Sequence, residues 1–121
     1  VPRDYDEILE KAGDFLVLCV DDNVVGCVAL HLHEEYAAEV ACLYVKQSHE
    51  RLGYGKALAE AAEDRARKLG VSSVFVLTSG AEAFFESLGY ETALLDIVPE
   101  ERLRKFEESE RGSAVLARQL S

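Results

Sequence analysis

The sequence predicts a mixed α/β (α+β) domain in which antiparallel strands come first, a β-α-β unit follows, and a helix and strand close the fold. Three observations carry this. Residues 15–20 and 24–32 are β-rich runs on either side of Asp21-Asp22-Asn23, a hairpin turn. Residues 55–69 hold the strongest helical spacing, and residues 73–78 (Ser-Val-Phe-Val-Leu-Thr) form a continuous apolar run of the kind buried on both faces of a sheet.

Taken in order, residues 4–12 read as a short helix, with Ile8, Leu9 and Ala12 on one side and Gly13 ending it. The hairpin follows. After the Glu34-Glu35-Tyr36 turn a third strand spans 39–46. The helix over 55–69 sets Leu58, Ala61, Ala62, the Arg65 stem and Leu69 on one face, and Gly70 stops it. A crossover helix between the 39–46 and 73–78 strands makes those two parallel neighbours. Residues 81–88 form a helix ended by Gly89, 90–97 a strand, 100–108 an amphipathic helix starting after Pro99, and 114–120 the last strand.

At 121 residues the chain is one domain, 1–121, with no internal repeat or linker. No run of about 18 apolar residues and no signal-peptide layout is present, so the expectation is a soluble protein without a membrane partner, in the cytoplasm or an organelle matrix. The three cysteines, Cys19, Cys27 and Cys42, all fall on apolar strand segments, which suits buried reduced thiols. A net charge of −10 argues against nucleic acid, which must be met by clustered Lys and Arg. The acidic runs at 60–64 and 107–110 read as solvated faces. His31 and His33 share one strand face, but no third ligand is apparent and no metal is expected.

One loop is basic inside this acidic chain. Between the third strand and the long helix the sequence runs Glu50-Arg51-Leu52-Gly53-Tyr54-Gly55-Lys56. Glycines let the backbone approach a ligand, and the loop's N–H groups converge on the positive end of the helix, as in a pyrophosphate cradle. A dinucleotide fingerprint would need a small residue where Leu58 stands, and a Walker loop would need Ser or Thr after Lys56, where Ala57 stands.

This loop, in this order of elements, resembles the GNAT superfamily of acetyl-CoA-dependent N-acetyltransferases. The family signature, Gln or Arg, two variable residues, Gly, one variable residue, Gly or Ala, is matched at Gly53 and Gly55, with Glu50 departing at its first position. The segment Ala83-Phe84-Phe85-Glu86-Ser87-Leu88-Gly89-Tyr90 is similar to the family's second element, a helix reaching Phe-Tyr-Glu and ending Leu-Gly-Phe. The resemblance implies a GNAT fold, a mixed central sheet with a β-α-β acyl-CoA-binding unit, and acetyl-CoA as cosubstrate. It implies cofactor contacts at Leu43, Tyr44, Val45, Arg51, Leu52, Gly53, Tyr54, Gly55 and Lys56.

A narrower resemblance is to the acetyltransferase domain of the N-acetylglutamate synthases. It rests on Gly26-Cys27-Val28-Ala29-Leu30, the stretch from Ala38 to Leu43, Leu69-Gly70 with Phe75-Val76-Leu77-Thr78, Val98-Pro99-Glu100-Glu101-Arg102, and the ending Glu110-Arg111-Gly112-Ser113-Ala114-Val115-Leu116. It implies transfer of acetyl to the α-amine of an amino acid, L-glutamate, by direct attack in a ternary complex. Arg102 and Arg111 would clamp a carboxylate bidentately and Ser113 would add a donor. Departures at Gly80, Glu107 and Ala114 keep another amine substrate open, and Glu50 with Phe85 in place of a tyrosine keeps open a non-catalytic acyl-CoA-binding or regulatory domain. The family's fold has a strand and helix before the point corresponding to Val1. The chain therefore reads as a fragment, or as an edge completed by a partner, a homo-oligomer included.

Attack on a thioester needs a neutral amine, a stabilised oxyanion and a fate for the thiolate. Glu39 stands where many GNAT members place a proton-accepting glutamate. Cys42 is the nucleophilic side chain beside it, though direct transfer needs no acyl-enzyme and a substrate-lining role fits it better. Backbone N–H groups of the 42–45 strand would meet the oxyanion at a bulge or splay. At the position of the family's thiolate-protonating tyrosine stands Phe85.

Overall fold

The computed structural model describes residues 7–11, 14–33, 37–94, 97–100, 102–104 and 113–120. Its first element, Glu7–Lys11, is a strand (β1), where the spacing of residues 4–12 predicts a helix. The reason lies in a partner the local pattern does not show. Glu7 to Lys11 pair antiparallel with Cys19 to Phe15 of the next strand, so alternate residues gain ladder bonds. An isolated helix of about this length would have to meet the cost of nucleation with one turn of bonds.

Strands β2 (Phe15–Val20) and β3 (Asn23–Leu32) form the expected hairpin. Asp21 and Asp22 adopt φ of 51° and 65°, the two left-handed residues of a type I′ turn, and the Asn23 side chain donates to the Asp21 carbonyl at 3.0 Å. Strand β4 (Ala37–Val45) pairs with β3, and the helix α1 (Tyr54–Lys68) crosses to β5 (Ser73–Thr78), which lies parallel to β4. Helix α2 (Glu82–Ser87) leads to β6 (Glu91–Thr92), and β7 (Ala114–Gln119) returns antiparallel between β5 and β6. The described strands make one sheet in the order β1-β2-β3-β4-β5-β7-β6.

The 90–97 strand is thus shorter than its β-rich sequence predicts. After Thr92, Ala93 N–H donates to the Val115 carbonyl of β7 at 2.8 Å. Burial of Val98 then draws it off the edge and under the sheet, beside Phe75 and Val115. Glu100 and residues 102–104 are helical, with the N–H groups of Arg102 and Leu103 both donating to the Pro99 carbonyl. The rest of the expected 100–108 helix, and the Glu34-Glu35-Tyr36 turn, lie outside the described residues.

Each face of the sheet has its own core. On one, Leu58, Ala62 and Ala66 of α1 pack against Leu16, Leu18, Val28, Leu30, Val40, Val74 and Val76. Helix α1 comes close because Gly26 has no side chain: a Cβ there would lie 2.9 Å from Leu58 Cδ1 and 3.0 Å from the Tyr44 carbonyl oxygen. On the other face Phe75, Val98 and Val115 form a smaller core with Leu77 and Leu103. No helix among the described residues is long and apolar enough to cross a membrane.

Candidate active site

Strands β4 and β5 pair only where they begin, at Ala37↔Ser73, Ala38↔Val74 and Glu39↔Phe75. Beyond Glu39 they diverge. β5 continues to Thr78 on β7, while β4 continues to Val45 on β3, so the β5-facing edge of residues 40–45 has no strand partner among the described residues. Part of the cause is a bulge. Ala29 faces Ala41 and Cys27 faces Tyr44, so Cys42 and Leu43 together oppose Val28, and Cys42 takes a φ of 54°. A bulge adds local bend and twist, and backbone N–H groups on the open edge are then available to a ligand's oxygen.

The cleft continues into the basic loop. Lys46 N–H ties the end of β4 to the Val25 carbonyl at 2.8 Å, and a 3-10 turn (Gln47–His49) follows. Arg51 and Gly53 both sit in the left-handed region, at φ 65° and 83°. Gly53 is the N-cap of α1 and offers no side-chain cap, and the first bond the helix makes back to it comes from Ala57 N–H at 3.1 Å. The N–H groups at the start of α1 therefore point out of the helix end, where the dipole favours an anion. A Cβ at Gly53 would meet nothing within 4 Å, so the space beside it is open.

The predicted cofactor residues divide by side chain. Arg51, Leu52 and Lys56 are exposed, and Tyr44 projects outward. Leu43 and Val45 lean into the core, and Tyr54 is buried, which leaves these three only their backbone groups to offer a ligand. Gly55 lies under Phe84, whose ring would be 3.4 Å from an added Cβ.

Glu39 sits at the apex of the splay and is 3% exposed. Its carboxylate is enclosed by the side chains of Arg102 and His33. Arg102 donates from Nε to Oε1 at 2.8 Å and from Nη2 to Oε2 at 3.1 Å, and His33 Nε2 lies 3.1 Å from Oε1. The structure thus joins Glu39 and Arg102, two residues that the sequence places in different roles. His33, which the sequence reading leaves on a polar strand face, is part of the same cluster; its spacing from Leu30 and Leu32 gives no hint of this, because the contact forms after β3 ends. Ser113 is half-buried just before β7, next to the Thr78↔Ala114 pair at the open end of β5. Arg111 lies outside the described residues.

Two expectations need correction. Of the cysteines only Cys19 is buried: Cys27 is half-buried and the bulge turns Cys42 out to the surface. The Cys27 thiol donates to the Cys42 carbonyl at 3.6 Å, and burial first, then the neighbouring Cys42, pushes its ionisation up. Glu63, in an acidic run that reads as a solvated face, is 1% exposed. It accepts from the Tyr90 hydroxyl at 2.8 Å and from Arg118 Nη1 at 2.6 Å, so the Tyr90 hydroxyl is committed away from the cleft. Phe85 is buried edge-on to Tyr90.

The family model of the acetyltransferase (GNAT) family matches residues 1–90. The chain belongs to this GNAT family. Its mixed sheet, in which β4 and β5 are the parallel pair among the described strands, is the GNAT fold. An amino-acid acetyltransferase of Neisseria meningitidis serogroup A is 35% identical over 116 residues, which are 94% of this chain and 27% of that protein. One from Ralstonia nicotianae is 36% identical over 121 residues, 99% of this chain and 27% of that protein. This GNAT chain therefore spans about a quarter of the length of these curated relatives. Among solved structures, N-acetylglutamate synthase from Neisseria gonorrhoeae complexed with coenzyme A and N-acetyl-glutamate matches with a TM-score of 0.86 at 35% identity, over 89% of this chain and 26% of that one. Rv2747 from Mycobacterium tuberculosis, in complex with CoA, matches with a TM-score of 0.77 at 25% identity, over 89% of this chain and 76% of that one.

Proposed function

We propose that this chain is an acetyl-CoA-dependent N-acetyltransferase module that acetylates the α-amine of an amino acid, with L-glutamate as the acceptor, as at the opening of arginine biosynthesis. The observation that carries the reading is the β4–β5 splay running through left-handed Arg51 and Gly53 into the uncapped start of α1. The likeness to a synthase complexed with coenzyme A and N-acetyl-glutamate supports both ligands.

In this reading the CoA pyrophosphate lies against the N–H groups of residues 51–56, flanked by Arg51 and Lys56, and the pantetheine arm takes the place of a strand along the open edge of residues 40–45. The thioester carbonyl is polarised by N–H groups at the Cys42–Leu43 bulge. Glu39 takes a proton from the acceptor's ammonium. The amine nitrogen bonds to the acetyl carbon, the carbon–sulfur bond breaks, and the second proton leaves for the CoA thiolate through water, since Phe85 carries no hydroxyl. Cys42 lines the mouth of the cleft. Arg102, Arg111 and Ser113 serve the acceptor's carboxylates.

The test is thiol release from acetyl-CoA with a panel of amino acids and polyamines. Turnover with L-glutamate is expected. Binding of CoA without turnover, or turnover with polyamines alone, overturns the reading. In the same assay Gly53→Asp, which sets a carboxylate in the open space beside the helix start, is expected to raise the KM for acetyl-CoA by about 100-fold through like-charge repulsion; an unchanged KM removes the cradle.

A further inference from the structure

Two of the three cysteines meet at the β4 bulge, and direct acetyl transfer has no use for either thiol. Cys27 of β3 faces Tyr44, and the extra residue in β4 sets Cys42 and Leu43 opposite Val28, the residue next to Cys27. The Cys27 thiol donates to the Cys42 carbonyl at 3.6 Å. A carbonyl oxygen is two bonds from its own Cα, so the Cys27 sulfur lies within about 6 Å of Cys42 Cα, near enough for a bridge once the side chains rotate. The two thiols differ in access. Cys42 is exposed, whereas Cys27 is half-buried and its ionisation is pushed up by burial and then by Cys42. An exposed thiol meets a reagent first, and a less ionised neighbour follows it as the resolving thiol.

We propose that Cys27 and Cys42 form a dithiol site that a low-molecular-weight disulfide oxidises to a cross-strand bridge over the bulge, reversibly shutting off acetyl transfer. The Cys42 thiolate attacks one sulfur of the small disulfide, whose S–S bond breaks and releases the first small thiol. The Cys27 thiolate then attacks the Cys42 sulfur, the mixed disulfide breaks, and the second small thiol leaves. Two electrons and two protons pass from the protein to the reagent, which ends as two thiols. Cys42 holds a φ of 54°, a conformation that a residue other than glycine keeps only where its surroundings fix it. A bond to β3 pulls on that residue and re-aims the N–H groups of Cys42 and Leu43, which polarise the thioester in the reading above. The cradle at 51–56 is insulated from this pull by the Lys46 N–H, which ties the end of β4 to the Val25 carbonyl. The loss of activity rests on the acetyltransferase reading, and the thiol chemistry does not.

The experiment treats the reduced protein with glutathione disulfide, quenches in acid, unfolds and alkylates it, and maps the cysteines by mass spectrometry. The wild type is expected to carry a Cys27–Cys42 bridge, an alkylated Cys19 and no retained glutathione. In Cys27→Ser the resolving thiol is gone, so glutathione should stay on Cys42 as a mixed disulfide; Cys42→Ser should react at least about 10-fold more slowly than the wild type. A lasting glutathione adduct on wild-type Cys42, a bridge through Cys19, a disulfide between two chains, or no adduct on Cys42 in Cys27→Ser overturns the pair. With acetylated product measured directly, kcat of the oxidised wild type should fall by about 100-fold, as when one oxyanion donor is lost, and return with dithiothreitol. The Kd for CoA should stay within about 3-fold. An unchanged kcat in the bridged protein, or CoA binding weakened as much as turnover, overturns the switch. A reduced protein that forms the bridge but acetylates no amine overturns the acetyltransferase reading instead, because the bridge is read by mass alone.

Discussion

Replacing Tyr90 by phenylalanine removes one hydroxyl from a buried carboxylate and nothing else. Glu63 is enclosed, 2% exposed at its side chain, and has two partners: the Tyr90 hydroxyl at 2.8 Å and Arg118 Nη1 at 2.6 Å. A hydrogen bond to a charged group contributes about 1.5–3 kcal/mol, so Tyr90→Phe should cost about 2 kcal/mol. Arg118→Leu leaves the carboxylate without its cation, a loss of about 3–5 kcal/mol when both charges are buried. The Arg118 side chain is 33% exposed, so solvent already screens it and a cost of about 2–3 kcal/mol is expected. Both partners act on the one carboxylate, so the losses are coupled and the double variant should cost at least about 1 kcal/mol less than the two single losses added. Urea unfolding monitored by circular dichroism reads all three, as a fall in midpoint at constant slope. A Tyr90→Phe change within about 0.5 kcal/mol of wild type, or additive single losses, would refute the claim that this cluster ties α1 to β7.

The same cluster sets an alkaline limit: burial, then the charge and hydrogen bond of Glu63, push the Tyr90 hydroxyl well above the ordinary tyrosine range, with Arg118 and Arg67 pulling the other way. Its contribution to stability is therefore fully present below the unfolded value of about 10 and is lost as pH rises above it; phenolate absorbance should show Tyr90, identified by its absence in Tyr90→Phe, ionising only as the chain unfolds, and its titration before unfolding counts against it. At the sheet, Gly26→Ala places a Cβ 2.9 Å from Leu58 Cδ1 and 3.0 Å from the Tyr44 backbone oxygen, so it should destabilise by about 1–3 kcal/mol and lower the melting temperature, whereas unchanged melting would mean that α1 yields freely.

Much of the architecture was legible in the chain because its signals are local. The Asp21-Asp22 hairpin, the helical face of Leu58, Ala62 and Ala66, and the apolar run at 73–78 each announce themselves within a few residues. The strand at 7–11 is not legible in its own pattern, because a five-residue strand at a sheet edge owes its state to β2. β6 stops at Thr92 for a related reason: burial of Val98 beside Phe75 outweighs local β-propensity.

By itself the sequence determined the strand, basic loop and helix that carry the proposed anion cradle, since glycines, their spacing and the following helix are consecutive. Only the tertiary structure decided the states of the charged side chains. Glu39 meets Arg102 across 63 positions, and Glu63 meets Arg118 across 55, and no local periodicity reports a contact made at such a distance. Burial of those carboxylates follows from where the sheet splays and where α1 lies upon it. Ion pairing in the interior is a property of the assembled fold.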